Sequence, residues 1–81
     1  MKDGKPLPRV TSPVPCGSKF RHAKSGGTYF LEYVGRLEAT LEPCVVYSSI
    51  TDGAIWVRPL DEFFGTVEID GKTVPRFERI G

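Results

Sequence analysis

The sequence is poor in cysteine and has no long apolar run. Its 81 residues include two cysteines, Cys16 and Cys44, whereas a secreted domain of this size usually carries several in a disulfide framework. We therefore expect both thiols to be reduced. No stretch approaches the roughly 20 apolar residues that span a bilayer, and residues 1–15 lack the apolar segment of a signal peptide. Together these features predict a cytoplasmic protein.

Net charge is also nearly absent. The chain has 11 Lys and Arg residues against 10 Asp and Glu, which gives a formal charge of +1. Proteins that bind polyanions normally carry a strong basic excess, so this balance weakens the hypothesis of single-stranded nucleic-acid binding. The chain is nonetheless 40% hydrophobic and 26% charged, which is ordinary globular usage and argues against a disordered chain.

Histidine occurs once, as His22. A structural zinc site needs four Cys or His ligands in paired spacing, which two isolated cysteines and one histidine do not supply. A catalytic triad needs a histidine between an acid and a nucleophile, and no motif places Ser25, Ser48 or Cys44 beside His22. The sequence therefore predicts no enzyme activity, no metal and no cofactor.

Glycine, proline and aromatic residues are plentiful. The chain contains 9 Gly and 7 Pro beside 5 Phe, 3 Tyr and 1 Trp, a mixture typical of short strands and tight turns. Residues 1–15 hold prolines 6, 8, 13 and 15 and are predicted to form an extended, polyproline-like arm, with 16–81 as the folded domain. The arm could be a linker, a strap across the domain or a peptide ligand for a partner.

Apolar residues alternate with polar ones along much of the chain, and this predicts five short strands after residue 19. In the strand at 29–38, one face is expected to carry Tyr29, Leu31, Tyr33 and Leu37. One helical or 3₁₀ turn is predicted at 59–64. The other predicted strands are 44–51, the segment that follows Asp52-Gly53, 66–69 and 72–77. Five strands joined by tight turns suggest a small mainly-β barrel, because a barrel removes exposed strand edges.

Two Asp-Gly pairs separate strand-like segments, at 52–53 and 70–71. Asp-Gly is favoured in a two-residue type I′ hairpin turn. With such a turn at 52–53, Ser49 lies opposite Trp56 and Tyr47 lies opposite Arg58. One face of the hairpin then carries these four residues, and the other, mostly apolar face carries Val46, Ser48, Ile50, Ile55 and Val57.

The face with Tyr47, Trp56 and Arg58 has two interpretations. Aromatic rings stack on planar groups, and arginine offers a planar fork to phosphate or carboxylate. Alternatively, Trp56 belongs to the core, while Tyr47 and Arg58 form a cross-strand pair with a cation–π contact. The Gly-rich turn at 24–27 could cradle a phosphate with its N–H groups, although a plain β-turn is the simpler interpretation.

Short motifs follow one another through residues 19–78. They are Phe20-Arg21-His22, Thr40-Leu41-Glu42-Pro43, Val45-Val46-Tyr47, Trp56-Val57-Arg58-Pro59, Gly71 and Pro75-Arg76-Phe77. Their order and spacing resemble a small bacterial and phage family, domain of unknown function 1653. The resemblance implies an SH3-type β-barrel or roll and no established activity. Leu37 stands where that family often has a second histidine, and the turn at 24–27 is longer than the family's.

We expect a non-enzymatic module that binds a small planar anion, with a nucleotide as the natural candidate. The residues predicted to stack on it, hold its phosphate or add hydrogen bonds are Tyr47, Trp56, Arg58, Arg21, Arg76, His22 and Ser49. A homo-oligomer could deepen such a site. Because the resemblance includes phages, one specific version is sequestration of a host nucleotide signal. The alternative is a protein-interaction module that binds a proline-rich or extended peptide.

Overall fold

β-strands dominate the structure, a computed structural model that describes residues 7–81; residues 1–6 of the predicted arm lie outside the described residues. The described part contains seven strands and one helix: β1 (Lys19–His22), β2 (Thr28–Arg36), β3 (Pro43–Ser49), β4 (Ile55–Pro59), α1 (Leu60–Phe63), β5 (Thr66–Ile69), β6 (Lys72–Pro75) and β7 (Phe77–Ile80). A mainly-β fold with one short helical turn is therefore confirmed. Seven strands stand where five were predicted. β1 precedes the first predicted strand, and the last predicted segment bends at Arg76 and divides into β6 and β7.

Five strands form one antiparallel sheet in the order β4-β3-β2-β1-β7, and β5 and β6 form a separate hairpin. Among the described strands, β4 and β7 are the two edges of the large sheet, and no hydrogen-bonded ladder closes it into a barrel. The sheet is nevertheless curled. The guanidinium of Arg58 on β4 lies 5.9 Å from the ring centre of Phe77 on β7, so the two edges approach each other across one face.

The two Asp-Gly pairs form different turns. Asp70 and Gly71 both have positive φ, 51° and 76°, and Ile69 pairs with Lys72. This is the predicted two-residue type I′ turn. At the other pair, only Gly53 has positive φ, and the Ser49 N–H donates to the carbonyl of Ala54. The loop between those two residues is therefore four residues long, and the predicted two-residue turn there is wrong.

The longer loop shifts the pairing of β3 with β4 by two residues. Tyr47 lies opposite Trp56, and Val45 lies opposite Arg58. The side chain of Asp52 stabilises this four-residue loop, because its Oδ1 accepts a hydrogen bond from the N–H of Ala54 at 3.0 Å. Since side chains alternate with period two, a shift of two residues changes the partners but keeps every residue on its predicted face.

A β-bulge at Glu32 changes the predicted faces of β2. Leu31 pairs with Tyr47, but the next pair is Tyr33 with Val46, which leaves Glu32 as the extra residue. Leu31 is fully buried, whereas Tyr33 is 69% exposed on the opposite face. The prediction that these two side chains share a face is therefore wrong, because one extra residue reverses the alternation.

The hydrophobic core covers one side of the sheet, here called the inner face, and the opposite side is the outer face. Phe63 of α1 is completely buried against it and stacks on Phe77 with ring centres 4.1 Å apart. It also meets Phe20 and Tyr47 edge to face, both at 5.2 Å. The buried cluster consists of Phe20, Leu31, Val45, Tyr47, Phe63 and Phe77. The helix thus supplies the side chain on which the inner face closes.

The described part of the arm, residues 7–15, has no helix or strand. Val14 packs against the core cluster, and Nη2 of Arg36 donates to the carbonyl of Pro8 at 2.8 Å. Both cysteines are free, Cys16 exposed and Cys44 buried. Among the described residues, no helix has the length and apolar character needed to traverse a membrane.

Candidate functional site

A small open pocket of about 220 Å³ lies at one end of the inner face. We call it the aromatic pocket. Every strand of the five-stranded sheet contributes a side chain to it. The contributing residues lie at the end of β1, near the start of β2, near the end of β3 and at the start of β7, and β4 contributes two residues. Its lining residues are His22, Ser25, Tyr29, Tyr47, Trp56, Arg58 and Phe77. The site therefore lies where the curled sheet brings its strands together.

Strand pairing and alternation explain why these side chains meet. His22 lies directly opposite Phe77, and Tyr47 lies directly opposite Trp56. Cross-strand partners point to the same side of a sheet, and Arg58 follows Trp56 by two residues and so joins it. The four-residue loop fixes this arrangement, because a register shift of one residue would turn Trp56 and Arg58 to the outer face.

The back wall of the aromatic pocket is part of the core. Tyr47 is only 5% exposed and contacts Tyr29, Phe63 and Phe77 with ring centres 5.2–5.3 Å away. A ring packed edge to face on several sides has no free surface for stacking on a ligand. Tyr47 therefore forms the wall of the pocket rather than the stacking platform that the sequence predicts.

Trp56 lies at the rim and is 53% exposed. The alternative in which the single tryptophan fills the core is therefore wrong. Its position on the edge strand β4 explains the exposure, since only Tyr47 on β3 lies beside it in the sheet. An indole held at a pocket mouth presents a large planar surface at small conformational cost.

Arg58 occupies the side of the pocket next to α1. Its Nε donates to the hydroxyl of Tyr47, and its Nη1 to Oε1 of Glu62, both at 3.4 Å. Both contacts are long for hydrogen bonds to a guanidinium. A guanidinium has five N–H donors, and these long contacts occupy two of them, so Arg58 keeps capacity for an anion.

His22 is oriented by the turn that follows β1. The backbone N–H of Ser25 donates to Nδ1 at 3.3 Å, and Oγ of Ser25 lies 3.0 Å from the same nitrogen. Because Nδ1 accepts an N–H, the neutral ring carries its proton on Nε2. Burial lowers the pKa of His22 below its ordinary value, and the positive charges of Arg58, Arg76 and Lys24 lower it further.

The N–H groups of the Gly-rich turn are already occupied. The Ser25 N–H donates to the ring of His22, the Gly26 N–H to the carbonyl of His22, and the Gly27 N–H to Oγ of Ser25. A phosphate could use these donors only by breaking the turn. The plain β-turn interpretation is therefore the one that the geometry supports.

Three predicted site residues do not line the aromatic pocket. Arg21 lies opposite Thr28 and Glu78 and lines a separate groove of about 440 Å³ beside the β5–β6 hairpin. Ser49 shares the inner face but ends β3 at the loop. Arg76 donates from Nε to the carbonyl of Glu62 at 3.1 Å, so its charge reaches His22 only through space.

Three lining residues were not among the predicted site residues: Ser25, Tyr29 and Phe77. Tyr29 and Phe77 looked like ordinary apolar strand positions, and their closeness follows from the order of the strands rather than from any local pattern. Ser25 follows His22 by three residues, which is the spacing of a turn that returns to its first residue. In the described residues, no three His, Cys, Asp or Glu side chains gather as a metal ion requires.

The comparisons with known proteins agree with this fold. At the level of class, the molecule is a small mainly-β domain with an aromatic and cationic pocket. The model of a family described as a protein of unknown function, DUF1653, matches residues 18–79, and the chain belongs to that family. It is similar to the crystal structure of a DUF1653 protein from Bordetella bronchiseptica, with 29% identity, a TM-score of 0.72, and coverage of 85% of this chain and 90% of that one. No curated protein matches the chain.

Proposed function

We propose that this domain is a non-enzymatic module that binds a small planar anionic molecule in the aromatic pocket, with a nucleotide as the natural candidate. One observation carries the proposal. The exposed ring of Trp56, the guanidinium of Arg58 and the imidazole of His22 line the same open pocket. This combination offers one flat apolar surface and two groups that favour negative charge.

Trp56 is the stacking surface in this proposal. Its half-exposed indole can cover one face of a planar group, a contact worth about 1–3 kcal/mol for a stacked base. Tyr29 and Phe77 form the apolar floor beside it, with ring centres 5.8 Å apart. A ligand ring that enters the pocket therefore meets apolar surface on two sides.

The anion of the ligand is held by positive charge. Arg58 faces the pocket, and Arg76 and Lys24 lie close enough to lower the pKa of His22. Glu62 is the opposing charge, since its carboxylate meets Nη1 of Arg58. A phosphate or carboxylate that reaches Arg58 would take the place of Glu62, and bidentate contacts would strengthen that exchange.

The size of the pocket limits the ligand. Its volume of about 220 Å³ lies below the roughly 300–1,000 Å³ of sites that enclose drug-sized ligands. One ring system can enter, and the rest of a nucleotide would remain outside. We therefore expect modest affinity for a single chain.

His22 and Ser25 form a structural pair in this proposal. Oγ of Ser25 also accepts the N–H of Gly27, which holds the hydroxyl within its own turn. A serine nucleophile would need a histidine oriented by a third group. Binding without chemistry is therefore the function that we favour, and the His22 imidazole contributes its Nε2–H and its capacity to gain a proton.

We also propose that the curled sheet and the β5–β6 hairpin form an SH3-type roll. The approach of β4 and β7 through Arg58 and Phe77 supports this view, because the two edges meet through side chains. Residues 1–15 would then be an arm attached to a domain at 16–81, consistent with the contacts of Val14 and Arg36 described above.

Calorimetry and thermal-shift measurements test the proposed function. The ligands are nucleoside monophosphates and diphosphates, cyclic dinucleotides, a free nucleoside and a proline-rich peptide. We expect the nucleotides to raise Tm, the nucleoside to have little effect, and Trp56→Ala and Arg58→Gln to weaken binding. Tyr33→Thr, at an exposed outer-face position on β2 that does not line the pocket, should bind like the unaltered chain. Binding of the peptide alone, or no response to any anion, would overturn the proposal.

A further inference from the structure

The two edges of the five-stranded sheet differ in their protection. The edge strand β7 exposes Glu78 and Arg79, and charged side chains discourage pairing with another strand. The edge strand β4 instead exposes Ile55, Trp56 and Val57, which are 63%, 53% and 58% accessible. An open edge with three consecutive apolar residues favours the addition of another strand.

Alternate residues of β4 direct their backbone groups to this open edge. The Ser49 N–H donates to the carbonyl of Ala54 where the hairpin begins. In an antiparallel pair, every second residue along a strand forms backbone hydrogen bonds with its partner. The next residue of β4 to do so after Ala54 is Trp56, which lies opposite Tyr47 on β3. The N–H and C=O groups of Ile55 and Val57 consequently point away from β3. The edge offers two donors and two acceptors in alternation.

We propose that two copies of the chain pair in antiparallel fashion through β4, with Trp56 at the two-fold axis. Ile55 of each copy then lies opposite Val57 of the other, and each copy satisfies both donors and both acceptors of its partner edge. Pro59 has no N–H and cannot extend the ladder. This favours the register centred on Trp56 over one centred on Val57, which would bring Pro59 into the pairing.

The side chains of this register are compatible with a second copy. On the outer face, Ile55 of one copy lies beside Val57 of the other, so apolar groups meet on both sides of the axis. On the inner face the two Trp56 rings are neighbours. Arg58 lies opposite Ala54 of the second copy, and like charges are therefore kept apart. The edge is thus complementary to itself in backbone bonds and apolar contacts, and no like charges lie opposite each other.

The dimer is expected to be weak and reversible. Three paired residues on each copy bury less than the roughly 1,200 Å² of total surface that marks stable complexes. Pairing also brings the two aromatic pockets together at Trp56. If the proposed function is correct, the second copy would cover the exposed side of a ligand stacked on Trp56, and the combined site would admit more than one ring system.

Sedimentation measurements on the full chain without ligand test the dimer directly. From about 10 µM to about 1 mM, the weight-average mass should rise from that of one chain toward twice that value. Val57→Lys places two like charges across the axis and should keep the chain monomeric at every concentration. Tyr33→Lys introduces the same charge at an equally exposed outer-face position on β2 and should leave dimerisation unchanged. Circular dichroism confirms that both variants are folded.

A cysteine variant tests the register. With Cys16 replaced by serine, Trp56→Cys should form a disulfide between copies under mild oxidation, because non-hydrogen-bonded partners have Cα atoms about 4.5 Å apart. Val57→Cys should form much less. A chain that stays monomeric to about 1 mM, or a dimer lost with Tyr33→Lys but kept with Val57→Lys, would overturn the proposed pairing. Nucleotide binding by the monomeric Val57→Lys variant separates this outcome from failure of the proposed function.

Discussion

Replacement of Glu62 by glutamine should strengthen the binding of an anionic ligand. Glu62 is the carboxylate that meets Arg58, and its Oε1 lies 3.4 Å from Nη1. A phosphate that binds the guanidinium through Nη1 competes with this carboxylate. The variant removes the competitor and keeps a side chain of nearly the same shape.

The magnitude follows from the geometry of this ion pair. The side chains of Arg58 and Glu62 are 29% and 54% exposed, so water screens their attraction. Exposed pairs are worth about 0.2–1 kcal/mol, and full release of that energy corresponds to at most about a five-fold decrease in Kd. Glu62→Gln should therefore decrease the Kd of a nucleoside monophosphate by up to about five-fold at low ionic strength, and added salt should reduce the gain.

Asp61→Asn is the matched control. Asp61 is the neighbouring acidic residue in the first turn of α1, and its side chain is exposed. Both substitutions remove one negative charge from the chain and from the start of the helix, but only Glu62 contacts Arg58. Titration calorimetry of the two variants measures the difference. If Glu62→Gln binds no more tightly than Asp61→Asn, then Glu62 does not compete for the site, and the role of Arg58 must be reconsidered.

Three further predictions concern pH and stability. Because the folded-state pKa of His22 is lowered from 6.5, its contribution to stability is full above pH 6.5 and is lost as pH falls through the lowered value; His22→Gln should flatten that part of a urea-denaturation profile. Phe63→Ala should cost about 3–5 kcal/mol in the same assay, enough to unfold much of a chain with so small a core. Leu41 has a φ of 66°, so Leu41→Gly should stabilise by up to about 1 kcal/mol, whereas Ala39→Gly in the same loop should destabilise; a loss of stability at both positions would contradict this account.

Local patterns were sufficient for part of the fold. Asp70-Gly71 forms the type I′ turn that its sequence favours, since both residues adopt the positive φ that this turn requires. At Asp52-Gly53 a side chain competes: the Ala54 N–H and the Ser49 hydroxyl both bind the Asp52 carboxylate and lower its pKa. The four-residue loop satisfies these groups. A dipeptide rule that considers only φ preferences cannot anticipate such a cap.

The sequence of the β3–β4 hairpin alone does not determine which of its two faces is buried. One face of β3 and β4 carries Val46, Ile55 and Val57, which makes it the more apolar face in the sequence. The structure buries the other face, because Phe63 of α1 packs on Tyr47. That choice depends on a contact between distant elements. The bulge at Glu32 also depends on a contact between strands, because the extra residue is defined only by the pairing of β2 with β3.

The candidate site could be predicted only where strand alternation determines it. Alternation placed Trp56 and Arg58 on one face, and this holds despite the shifted register, because the shift is an even number of residues. Arg21, the residue before His22, was expected to join them by holding the phosphate of the same ligand. Adjacent residues of a strand point to opposite faces, and Arg21 accordingly lies on the outer face beside the β5–β6 hairpin. The strand alternation therefore excludes Arg21 from the aromatic pocket that contains its neighbour His22.

The aromatic pocket shares part of its wall with the core, and this separates two kinds of site residue. Tyr47 and Phe77 are buried in the cluster that holds the sheet together, so their loss would reduce stability and binding at once. Trp56 lies at the rim, where substitution would remove the proposed ligand contacts while the core stays packed. Arg58 is intermediate, because it also contacts Tyr47 and Phe77 of that cluster. Binding and stability can therefore be varied independently at the rim but not at the wall. Under the proposed function, substitutions at the rim would therefore alter ligand preference, whereas the wall is required for the fold.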